Sequence, residues 1–181
     1  ADNRAAGDAL TRAGVPAIAL RVDSIGQYLH AVALIGDLLG VPARADSIVR
    51  ALRAQLDTVR TRTASRPRVT VFLPAWDEPL MTLGSGSYLS ELVEIAGGRN
   101  VYAERHEPSL VVAMEDVVRR DPDIVLTTPV SAARIGRDPS WQVLRAVREG
   151  RVLAYDTLLV SQPSSRLGDA AASLARLLHP H

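Results

Sequence analysis

From residue 65 onward, short apolar runs alternate with amphipathic segments, and this alternation restricts the fold more than any other feature. The strand candidates are "VTVFL" (69–73), "NVY" (100–102), "DIVLTT" (123–128) and "RVLAY" (151–155). Between them, "SYLSELVEIAGG" predicts a helix capped by Ser87 and ended by Gly97, and "MEDVVRRDP" a two-turn helix. "PSWQVLRAVREG" predicts one helix with Trp141, Leu144 and Val147 on a single face. "SSRLGDAAASLARLL" closes the chain as a helix. Strands separated by helices predict an α/β fold, a parallel Rossmann-like sheet.

The first 64 residues read differently. Residues 3–13 predict a helix stopped by Gly14, and "VPAIAL" (15–20) a short strand that tolerates its leading proline. "DSIGQYLHAVALIGDLLG" predicts a helix. Ser24 and Gln27 have capping-box spacing, and Ile25, Leu29, Val32, Ile35 and Leu39 form a stripe. Gly40 suits a left-handed helix end, and Pro42 opens the next helix, to Thr63. That helix spans roughly 33 Å and carries only a narrow stripe: Ala45, Ile48, Leu52, Leu56 and Val59. A long, mostly solvated helix suits a connector between two bodies. The chain opens on a helix with no strand before it, whereas a right-handed βαβ unit needs that strand. The expectation is a piece of a longer protein.

Composition narrows the chemistry. Cysteine is absent, which excludes disulfides and thiolate chemistry, and all 21 basic residues are arginine. Without lysine there is no Walker A loop and no pyridoxal Schiff base. A net charge of +1 gives no nucleic-acid footprint. "GSGS" (84–87) before a helix suggests an anion turn, but the third glycine of a dinucleotide fingerprint falls on Leu89. Asp77 and Glu78 are adjacent in an expected loop and point apart, so they pair badly for acid–base work. His30, His106, His179 and His181 have no helical metal-ligand spacing, leaving His106 with Glu107 and the terminal "HPH" as thin metal candidates. Trp76 stands just past a strand end, between Pro74 and Pro79. Ligands gather at such ends in open α/β sheets, so a wall for a ligand competes with a lid on the core. No catalytic constellation assembles, and the expectation is a non-enzyme.

The motif order now carries a resemblance. "WDEPLMTLGSGSYLSELVEIAGGRNV", "PSLVVAMEDVVRRDPDIVL", "WQVLRAVREGRVLAYD" and "PSSRLGDAAASLARLLHP" together resemble the C-terminal lobe of the cobalamin and ferric-siderophore (class III) periplasmic substrate-binding proteins of ABC importers. The resemblance runs from about residue 15 to the end. It implies residues 1–40 as the remnant of a largely absent N-terminal lobe, 41–64 as the inter-lobe connecting helix and 65–181 as the C-terminal α/β lobe. It implies a transported corrinoid, haem or iron–siderophore ligand, no resident cofactor or metal, and an ABC permease as partner. Trp76, Asp77 and Glu78 would face the inter-lobe cleft, with Ser109 where cobalamin-binding members place an aromatic. Asp156 and the loop Thr157–Pro163, which includes Leu158, resemble the second cleft-lining turn, and Arg166 the arginine after it. Glu115 matches the glutamate each lobe offers to the permease, with Ala113 in place of the usual polar cap. The location implied is periplasmic or extracytoplasmic, lipid-anchored in a Gram-positive cell, with the signal peptide not in this chain. Homodimerisation or domain exchange is expected to cover apolar surface on the helices at 24–40 and 42–63. The alternatives are a zinc/manganese-type binding protein and an α/β enzyme acting on a nucleotide or sugar.

Overall fold

The computed structural model describes residues 4–180. Residue 3 of the expected first helix and His181 of the terminal "HPH" lie outside the described residues. Four strands form a parallel sheet in the order β4-β1-β6-β7: β1 (Val69–Phe72), β4 (Gly98–Asn100), β6 (Ile124–Thr127) and β7 (Val152–Ala154). Alternate side chains of β1 and β6 enter opposite cores, as the pleat requires. Val71, Leu73, Ile124 and Leu126 pack under α2 (Ile25–Leu38), α3 (Pro42–Thr63), α4 (Tyr88–Ile95) and α9 (Leu167–Leu178). Phe72 and Val125 face the other layer, built from α5 (Met114–Arg120), α6 (Pro129–Ile135) and α7 (Arg145–Arg148). There Trp141 is buried against Phe72, ring centroids 6.3 Å apart. No helix among the described residues is long and apolar enough to cross a membrane.

The N-terminal helices follow their local signals. α1 (Arg4–Arg12) ends before Gly14, whose φ is +71°. Ser24 and Gln27 close the capping box of α2 in both directions. Gly40 takes φ +69°, and Pro42 is the first residue of α3. The expected α2 stripe is rotated: Ile25, Leu29, Ala31 and Gly36 are buried, while Ile35 and Leu39 are exposed. Gly36 sets this rotation, because a Cβ there would lie 2.2 Å from the Cβ of Ala45 on α3.

Other expectations are corrected. Residues 15–20 form no strand; no neighbour pairs with them among the described residues, and Val15, Ile18 and Leu20 are exposed. The segment after β1 is not a loop. β2 (Pro74–Asp77) and β3 (Leu80–Leu83) make a hairpin joined by β5 (Ser109–Val111) in a second, antiparallel sheet. Two prolines hid β2, which is an edge strand where proline is tolerated. The 139–148 helix is broken into a 3₁₀ turn (Pro139–Val143) and α7, because Leu144 is extended, with φ −82° and ψ 130°. Trp141, Leu144 and Val147 are nonetheless all buried. The short helices α6 and α8 (Thr157–Val160) carry too few residues to show a period.

Candidate functional site

A cavity of about 340 Å³ opens at the carboxyl ends of β1, β6 and β7, within the usual size range for a ligand site. β1 runs into it through Leu73 and Pro74, β6 through Leu126, Thr127 and Thr128, and β7 through Tyr155. Local caps supply its hydroxyls. Thr128 is the N-cap of α6, its Oγ1 accepting from the Ser131 N–H at 3.2 Å, and Ser87 is the N-cap of α4. Two phenols complete the lining. Tyr88 donates from its hydroxyl to the Val160 carbonyl at 2.8 Å. Burial, and then the neighbouring Tyr155, push its pKa up to about 12; burial also raises that of Tyr155. Both therefore remain neutral across physiological pH. Among the described residues no charged side chain lines the cavity, so it offers hydroxyls and apolar walls rather than a fixed counter-charge.

None of the sequence-predicted site residues is among the described residues that line this cavity. Trp76 lies on β2, 64 % exposed, its indole N–H donating to the Glu78 carbonyl at 3.1 Å. Asp77 pairs with Arg134 at 2.6 Å, which ties the hairpin to the last turn of α6. Glu78 sits in the exposed hairpin turn. Asp156 caps α8, its Oδ1 accepting from the Leu158 N–H at 2.9 Å; Thr157 is half-buried and Leu158 is 90 % exposed. Because β6 lies between β1 and β7, the hairpin and the α8 turn flank its carboxyl end from both sides. Ser109 is exposed on β5, opposite Leu83. Arg166 donates to Asp169 at 3.3 Å at the start of α9. Glu115 is exposed in the first turn of α5, whose N-cap Ala113 makes no side-chain cap.

Sequence reasoning reached Ser87, as a helix cap, and Ser161, within the cleft-lining loop, but passed over Tyr88, Thr127, Thr128, Ser131 and Tyr155 of the lining. Their signal was position, at strand ends and helix starts. "GSGS" has a different purpose from the anion turn it suggested. A Cβ at Gly84 would lie 2.4 Å from the Arg105 and Glu107 carbonyls, and one at Gly86 2.3 Å from that of His106. The Ser85 N–H donates to the Arg105 carbonyl at 2.7 Å and the Ser87 N–H to that of Gly84 at 3.2 Å. Glycine is needed there for close backbone approach, and these amides have no room for phosphate. Among the described residues no three histidines or carboxylates converge on a metal position, and Nδ1 of His106 is 3.1 Å from the Ser85 hydroxyl.

The model of the family described as "Periplasmic binding protein" matches residues 3–158. The vitamin B12-binding protein of Vibrio cholerae is 28 % identical over 127 residues, covering 70 % of this chain and 46 % of that protein. The cobalamin-binding protein of Halobacterium salinarum is 29 % identical over 185 residues, covering 94 % and 49 %. The chain thus spans about half the length of the curated relatives it matches. An ABC transporter substrate-binding protein from Listeria monocytogenes superposes with a TM-score of 0.88 at 20 % identity, covering 99 % of this chain and 74 % of that one. At that identity the superposition establishes the fold.

Proposed function

Because the chain belongs to the periplasmic binding protein family, as the match over residues 3–158 establishes, we propose that it serves as the extracytoplasmic solute-binding component of an ABC importer. Its ligand on this reading is a corrinoid, haem or iron–siderophore, held without chemical conversion and delivered to the permease. The family match carries the reading, and the hydroxyl-lined cavity at the sheet's carboxyl ends supports it. In this proposal residues 65–181 are one binding lobe, the 41–64 helix is the connector, and 1–40 belong to the opposite lobe. Trp76, Asp77, Glu78 and Ser109 face the ligand from the small sheet, Asp156, Thr157 and Leu158 from the far side of β6, and Arg166 from the start of α9. Glu115, in a position favoured by the α5 dipole, docks on the permease.

Calorimetric titration with cyanocobalamin, haemin and a ferric hydroxamate tests it. The expected result is saturable binding of one of the three, weakened about tenfold by Trp76→Ala, the scale of one lost aromatic contact. No heat from any of the three would end the proposal.

A further inference from the structure

We propose that the cleft between the C-terminal ends of α3 and α9 is a second binding site, for a phosphate-type dianion. The cleft holds about 360 Å³ and is lined by Arg62, Arg66, Arg176 and His179, with no carboxylate side chain in the lining among the described residues. Among the described residues, the arginine ion pairs of α3 and at the start of α9 engage Arg60 and Arg166, not these three guanidinium groups. Arginine near a helix C-terminus has an ordinary use, compensating the helix dipole. Each helix end carries about half a negative charge, so two ends offset about one of the three positive charges. The excess of about two matches a phosphate monoester or inorganic phosphate rather than a single carboxylate.

Contacts between lining residues fix the shape of the cleft. Arg66 is half-buried, and its Nη1 donates to the His179 carbonyl at 3.1 Å, so one guanidinium is already positioned. The His179 ring packs on Gly97, where a Cβ would fall 2.6 Å from Nε2, and that buried Nε2 has no hydrogen-bond partner among the described residues. Guanidinium groups bind phosphate through paired N–H donors, and the volume leaves room for an organic substituent. Arg66 precedes β1 and Gly97 precedes β4, so this cleft lies at the amino ends of the parallel strands, away from the cavity at their carboxyl ends.

The phosphate could come from a soluble compound or from a lipid headgroup. Two arms separate these sources: calorimetry with inorganic phosphate at low ionic strength, and co-sedimentation with phosphatidylcholine vesicles with and without phosphatidic acid. The expected result is saturable binding in at least one arm. Arg66→Gln and the exposed Arg176→Gln should each weaken it about tenfold, and Arg53→Gln, elsewhere on α3, should leave it unchanged. Binding in the phosphate arm assigns a soluble ligand; binding only to phosphatidic acid vesicles assigns the headgroup. No saturable binding in either arm, or an equal loss with Arg53→Gln, would overturn the site.

Discussion

Asp123 shows how much one side chain can join. Its Oδ2 accepts from the Thr70 N–H at 2.9 Å and the Thr70 hydroxyl at 2.8 Å, and Oδ1 from Arg145 at 3.0 Å. Burial pushes its pKa up, but the Thr70 and Arg145 hydrogen bonds outweigh it and hold the carboxyl below the usual 3.8. A depressed carboxylate stabilises the fold fully above its unfolded value, and that contribution fades as pH falls through the folded one. Asp123→Asn should therefore lower unfolding stability by about 1 to 2 kcal/mol at pH 7, given the group's partial exposure. The difference from the parent should shrink below pH 4, roughly the unfolded aspartate value, in urea melts across that range. Sequence reading takes Asp123 for the polar start of a strand, because its partners lie 53 and 22 residues away. Trp76 is similar. Its position past a strand end was legible, whereas the hairpin that holds it depends on pairing with residues 80–83 and 109–111.

At the scale of elements, local signals set helix ends and tertiary packing set helix faces. The capping box at Ser24, the glycines at 14, 40 and 97, and Pro42 were all readable because each acts within a few residues. The buried face of α2 was not, since it answers to Ala45 of a different helix. Alanine is favoured over glycine in a helix by about 1 kcal/mol, and overpacking a tight contact costs about 1 to 3. Gly36→Ala should thus reduce stability by about 1 kcal/mol in chemical denaturation, and adding Ala45→Gly should restore part of the loss by making room. A neutral Gly36→Ala would mean that α2 and α3 approach less closely than described. The break at Leu144 has a like origin: a 3₁₀ turn and α7 together bury Trp141, Leu144 and Val147 although they share no continuous helix.

Across the whole molecule, the exposed large hydrophobic residues gather in the first quarter of the chain. Ile18 is 60 % exposed and Leu39 71 %, with Val15, Leu20, Leu38 and Val41 nearby in sequence. Exposed apolar side chains in such number favour association. We predict that light scattering of the chain at high concentration gives a mass above the monomer, and that Leu38→Gln with Leu39→Gln returns it to the monomer; a parent chain that is monomeric throughout would refute this. The sequence by itself determined the α/β class, the parallel strands and the length of α3. Those follow from hydrophobic period and from caps, which act over a few residues. Only the tertiary structure decided the antiparallel sheet behind Trp76, the unpaired state of residues 15–20 and the hydroxyl-lined cavity. A strand exists only through its partner, and a cavity only where distant segments end side by side, so neither leaves a local mark in the chain.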